Sequence, residues 1–270
     1  MKSTMISKTF RIAGMIVLGS FVLSSGAGAT CSNASLSGTY GFLHSGTAGD
    51  GTPTTGVSQL TFDSTTGTYT GEDTASHNGV IGTEPLTATY AVASNCTVTA
   101  TVTVGGHAQN IAFVVTPTGF LSVNQTAGVT AEGFGVKQGS PTCTDAGVEG
   151  SFGFETTGVF VAGAPATGPV AFIGELKFAV NGSGEGEISG HLASSEDGTI
   201  LTFEDEPVTG SYRVAADCTG RATIRPKGGP EMHFSLVVVD GGKKMLAVET
   251  DADTVVSGTL QHLFQQEMSL

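Results

Sequence analysis

The feature that most constrains this chain is an internal duplication. CSNASLSGTYGF (31–42) is echoed by CTDAGVEGSFGF (143–154). EPLTATYAVASNCT (84–97) is echoed by EPVTGSYRVAADCT (206–219), with agreement at eight of fourteen positions. A weaker echo joins FLSVNQTAGVTAEG (120–133) to MLAVETDADTVVSG (245–258). The offset grows from 112 to 122 to 125 while the order holds, so the second copy gains residues in its connections, where a scaffold of strands tolerates them. Two tandem units of ordinary domain size follow, 31–142 and 143–270.

Within each unit the apolar residues recur with period two. Val98, Ala100, Val102 and Val104 share one face of TVTATVTV, with threonines on the other. Phe172, Leu176, Phe178 and Val180 alternate likewise, as do Met232, Phe234, Leu236 and Val238. This is the pattern of strands with one buried and one wet face. Glycine, 40 of 270 residues, supplies the turns between them. Turn signals divide the first copy into eight strands, near 38–44, 57–63, 67–73, 86–93, 97–104, 109–116, 120–125 and 130–137. The second copy repeats them, with a longer acidic connection at 194–206 expected before its fifth strand. The fold class is all-β, two tandem antiparallel barrels of about eight strands, since closure removes both sheet edges. A pair of β-sandwiches is the alternative.

The N-terminus reads as an export signal. Lys2, Lys8 and Arg11 precede the apolar run 12–23, and Ala27 and Ala29 occupy the A-x-A positions, so cleavage is expected after Ala29. Residues 1–29 are thus a signal peptide, no other run is long enough to span a bilayer as a helix, and the mature protein is expected to be secreted or periplasmic. Beyond position 29 eight basic residues face 24 acidic ones, a formal charge of −16. That balance argues against nucleic acid and anionic membranes as partners. Each copy holds one cysteine before its first strand and one after its fourth. A unit copied with both closes on itself, giving Cys31–Cys96 and Cys143–Cys218, each worth about 3 to 5 kcal/mol through loop closure.

No GxSxG, HExxH, CxxC or P-loop pattern occurs. The six histidines (44, 77, 107, 191, 233 and 262) are scattered without metal-ligand spacing, so no metal and no cofactor is expected. The acidic stretch around Glu196, Asp197 and Glu204–Glu206 lacks the alternation of a calcium loop. Both copies place Glu-Pro ahead of a Tyr-x-Val strand, which makes Glu84, Tyr90, Glu206 and Tyr212 the candidates for catalysis, against a purely structural role in strand geometry.

Leu36-x-Gly38-x-Tyr40, after a cysteine and on a first strand, resembles the G-x-W opening of the calycins, and Val148-x-Gly150-x-Phe152 repeats it. Tyr and Phe replace the calycin Trp, so avidin-like biotin binding is not implied. Segments 38–42, 90–97, 150–154 and 212–219 are similar to repeated units of secreted bacterial proteins without an established activity. The likeness implies a compact barrel comparable to that of allene oxide cyclase. The expectation is an exported non-enzymatic barrel protein that binds a small apolar ligand or a surface protein or glycan. A cyclase- or isomerase-like enzyme and an envelope or matrix structural protein are the alternatives.

Overall fold

The structure, a computed structural model, describes residues 30–139, 143–164 and 167–263, apart from the side chains of 203–206. The expected signal peptide, 1–29, lies outside the described residues. The first copy forms β1 (Gly38–Thr47), β2 (Pro53–Asp63), β3 (Thr68–His77), β4 (Val80–Val92), β5 (Thr97–Val104), β6 (His107–Thr116), β7 (Gly119–Asn124) and β8 (Thr130–Lys137). The second forms β9 (Gly150–Phe160), β10 (Gly168–Val180), β11 (Gly186–Glu196), β12 (Thr199–Val214), β13 (Thr219–Pro226), β14 (Met232–Val239), β15 (Lys244–Glu249) and β16 (Thr254–His262). Each set is a closed antiparallel barrel, sealed by β1 against β8 and by β9 against β16. Among the described residues, no helix is long and apolar enough to cross a membrane.

One expectation is corrected. The acidic stretch 194–206 is not a connection but the two arms of the β11–β12 hairpin, between the third and fourth strands of the second copy. Backbone pairing needs no apolar side chains, so the acidic composition hid these strands. Their turn, Asp197–Gly198, has φ of 44° and 85°, and the equivalent turn of the first copy, Asn78–Gly79, has 50° and 80°. Positive φ at both central residues marks the two-residue turn that matches strand twist.

The repeated opening segment closes one end of each barrel. Cys31–Cys96 and Cys143–Cys218 are disulfides, as the duplication implied. After each first cysteine a short 3-10 turn (Asn33–Ser35, Asp145–Val148) places Leu36 and Val148 in the barrel floor, both fully buried. Tyr90 donates its hydroxyl to the Leu36 carbonyl at 2.8 Å, and Tyr212 donates to that of Asp145, also at 2.8 Å. Asn33 Oδ1 accepts from the Val92 amide and Asp145 Oδ1 from the Val214 amide, so each plug is tied to the fourth strand of its own barrel.

The barrels pack against each other along outward faces. Leu43 and Val57 of the first barrel meet Val237, Val239, Leu246 and Val248 of the second. β14 and β15 are therefore buried on both faces, which is why Leu236–Val239 and Met245–Val248 are unbroken apolar runs. Gly41 allows the approach, because a Cβ there would stand 2.5 Å from Val239 Cγ1. Thr55 Oγ1 donates to Ser257 Oγ at 2.6 Å, and the Asp253 amide to the Gly79 carbonyl at 2.9 Å.

Candidate functional site

Inward-facing residues of the first barrel divide into an aromatic floor and a hollow upper half. Above the Leu36 plug, Tyr40, Phe62, Tyr69, Tyr90, Phe113 and Phe120 form one cluster with ring centroids 4.6 to 6.3 Å apart. Beyond it lies a cavity of about 250 Å³. Its apolar walls are Phe42, Leu60, Leu86, Val102, Ile111 and Phe113, and Ala48, Gly49 and Val129 stand at the mouth.

One wall is polar. His44 on β1, Ser58 on β2 and Asp73 on β3 all point inward and converge. His44 Nε2 lies 3.1 Å from Asp73 Oδ1, and Ser58 donates its hydroxyl to the same oxygen at 2.5 Å. His44 fits because Gly56, its cross-strand partner, has no side chain; a Cβ there would stand 2.6 Å from Nε2. Burial on its own would lower the His44 pKa, but the charge and hydrogen bond of Asp73 outweigh it and the net shift is upward. Burial would raise Asp73, yet His44, the Ser58 hydroxyl and the charge of His77 together hold its carboxyl below the usual range. Below the raised His44 value the pair is imidazolium and carboxylate, each stabilising the charge of the other.

This trio differs from a serine hydrolase triad. The carboxylate sits between the other two members, so the hydroxyl of Ser58 donates to an acid and not to an imidazole. Ser58 is therefore not activated as a nucleophile. His44 Nδ1 and the Tyr69 hydroxyl, both on residues lining the cavity, have no hydrogen-bond partner among the described residues. Burial pushes the Tyr69 pKa up, so its phenol stays protonated. Nearer the mouth His77 Nδ1 meets Thr54 Oγ1 at 2.8 Å, and Asn124 donates to Gln109 Oε1 at 2.6 Å.

The second barrel is filled at the same level. The strand registers align His44, Gly56, Ser58 and Asp73 with Thr156, Phe172, Gly174 and Leu192. Phe172 replaces the glycine that made room for His44, and Leu192 replaces the carboxylate. Leu192 lies so close over Gly174 that a Cβ there would stand 2.4 Å from its Cδ2. Together with Phe154, Leu176, Phe234 and Met245 they form a continuous apolar core. Polar atoms that remain inside lack partners: Thr156 Oγ1, Ser194 Oγ and Glu249 Oε2 are buried with no hydrogen-bond partner among the described residues. Glu249 aligns with Asn124, but Met232 stands where Gln109 would serve as its partner. Burial first, then the negative charges of Asp251 and Glu196, push the Glu249 pKa up to about 8.

Glu84 and Tyr90 are not brought together. Glu84 is exposed and leans on the Gly105 turn, whereas Tyr90 is held in the floor by its bond to Leu36, six residues along β4, about 20 Å away. Tyr212 holds the plug of the second barrel in the same way, and the Glu206 side chain lies outside the described residues. Burial first raises the pKa of both tyrosines to about 12, so each remains a donor. Among the described residues no three His, Cys, Asp or Glu side chains gather as a metal set. His44 and Asp73 escaped notice in the sequence because only the fold brings residues 29 positions apart together; the one available signal was a charged residue on the inward face of an otherwise alternating strand.

No family model and no curated protein matches the chain. Among solved structures it is similar to a protein of unknown function from the DUF3598 family of Nostoc punctiforme. That likeness covers 85% of this chain and 97% of the other, at 10% identity and a TM-score of 0.25.

Proposed function

We propose that this is an exported, non-enzymatic protein whose first barrel binds one small, largely apolar molecule, while the second barrel is a filled companion. The observation that carries this reading is the contrast between the barrels. Four inner positions hold His, Gly, Ser and Asp around a cavity in one copy, and Thr, Phe, Gly and Leu in a closed core in the other. An eight-stranded barrel has an interior just wide enough to be filled or to hold one small ligand, and here each copy takes one of those courses. A barrel closed at one end and open at the other fits the calycin-like resemblance. Two disulfides fit an oxidising compartment, secreted or periplasmic, reached through the signal at 1–29.

The test is to write the second barrel into the first, with His44→Thr, Gly56→Phe, Ser58→Gly and Asp73→Leu combined. The same residue types already pack together in the second barrel, so folding is expected to persist by circular dichroism. Binding of a neutral apolar fluorophore such as N-phenyl-1-naphthylamine is expected to fall by about two orders of magnitude, as removal of a desolvated pocket requires. Equal binding by both proteins defeats the proposal. A second reading, an isomerase- or cyclase-like enzyme, is favoured by one observation, the part-buried His44–Asp73 pair, which can shuttle a proton at the cavity wall. Recovery of bound ligand chemically unchanged after prolonged incubation counts against it.

A further inference from the structure

The polar groups of the first barrel point to the chemical class of its ligand, an inference that rests on the binding reading above. We infer that the ligand is an uncharged molecule carrying a hydrogen-bond acceptor, most simply a carbonyl oxygen, that is held by His44 Nδ1 and the Tyr69 hydroxyl over an apolar body.

His44 commits Nε2 to Asp73, and its other ring nitrogen has no partner among the described residues. Below its raised pKa the ring, paired through Nε2 with the Asp73 carboxylate, is an imidazolium that donates from both nitrogens, so Nδ1 is an unused donor. Tyr69 is buried among Phe62, Tyr90 and Phe113, and its phenol, kept protonated by burial, is a second unused donor on the cavity lining. An occupant that supplies an acceptor to these two donors gains hydrogen bonds that a purely apolar occupant lacks. Asp73 offers no free acceptor on this wall: its Oδ1 accepts from both His44 and Ser58, and its Oδ2 lies 3.3 Å from His44 Nε2. An ammonium group therefore finds no unengaged carboxylate on this wall.

An anionic ligand is disfavoured for a different reason. The charge of His44 is already matched by Asp73, so a carboxylate entering beside the pair adds an uncompensated negative charge to an apolar cavity. Glu132 at the mouth and the acidic balance of the whole chain oppose its approach. The volume, about 250 Å³, suits a compact body of around ten carbons, at the small end of ligand pockets.

The experiment is displacement of the same fluorophore from the full mature protein by a matched series on one skeleton: decalin, 2-decalone, decalin-2-carboxylate and 2-aminodecalin. The ketone is expected to bind about tenfold more tightly than the hydrocarbon, with carboxylate and amine no better than the hydrocarbon. Tyr69→Phe removes a hydroxyl that bonds to nothing, so the fold is retained and the ketone advantage is expected to shrink severalfold. The double change His44→Leu with Asp73→Leu, which leaves no unpaired charge, is expected to abolish it while hydrocarbon binding persists. Tightest binding by the carboxylate or amine, or equal binding of ketone and hydrocarbon, overturns the inference and leaves the binding reading standing. Displacement by none of the four, with no fluorophore bound, overturns both.

Discussion

Asp73→Ala is expected to destabilise the first barrel by about 3 kcal/mol near pH 5.5, the scale measured when one partner of a buried pair is removed. Among the described residues Asp73 is the acceptor that His44 Nε2 and the Ser58 hydroxyl share, and both are left facing apolar walls without it. The loss depends on pH in a definite sense. His44 is raised in the folded state, so its contribution is complete below its ordinary pKa of about 6.5 and disappears as pH rises through the higher folded value. Asp73 is lowered, so its contribution is complete above its ordinary value of about 4 and disappears as pH falls through the lower folded value. The pair therefore stabilises most between about pH 4 and 6.5. Urea midpoints of wild type and variant are expected to lie furthest apart in that window and to approach each other near pH 9. In nuclear magnetic resonance the His44 ring is expected to titrate above the ordinary histidine value in the wild type and below it in Asp73→Asn. Titration of His44 at an ordinary value in both proteins counts against the pair.

Glu249→Gln is expected to act in the opposite direction, as a stabilising change in the second barrel. Glu249 is 3% exposed, its Oε2 has no partner among the described residues, and its pKa is raised to about 8. Between its ordinary value and about 8 the folded chain keeps a proton that the unfolded chain releases, so stability from this group falls as pH rises. A shift of this size corresponds to a loss on the order of 5 kcal/mol once pH exceeds the folded value. Glutamine has similar shape and no charge to desolvate. Wild type and variant are therefore expected to unfold at similar urea concentrations near pH 5. Near pH 9 the variant is expected to be the more stable by several kcal/mol. A wild type whose midpoint stays constant from about pH 5 to 9 contradicts the burial of this carboxyl.

Much of the scaffold was legible because the two copies say it twice. Alternation located the strands of the first copy, and paired cysteines located the staples. The echoed Tyr90 and Tyr212 proved to belong to the same architecture, each hydrogen-bonded to the plug that follows the first cysteine. These two tyrosines, which agree between the copies, serve what the copies share, which is closure of the barrel floor. The cavity depends on positions that disagree. Gly56 and Phe172 each pass in an alternating strand, Asp73 breaks the alternation that Leu192 keeps, and only the register shows that these positions face the same volume. The contact between the barrels had a signal of another kind, since Leu236–Val239 and Met245–Val248 break the alternation by being apolar on both faces. The acidic arms of the β11–β12 hairpin hid because strand pairing there is carried by the backbone, with Ile200 72% exposed.

The most direct measurement of the contrast between the barrels is the number of small molecules held per chain. Native mass spectrometry of the mature protein purified from its own host, with and without the four-residue exchange at His44, Gly56, Ser58 and Asp73, counts them. One neutral ligand per wild-type chain and none after the exchange is the expected result. Two per chain, or one that survives the exchange, would place the ligand outside the first barrel and contradict the assignment.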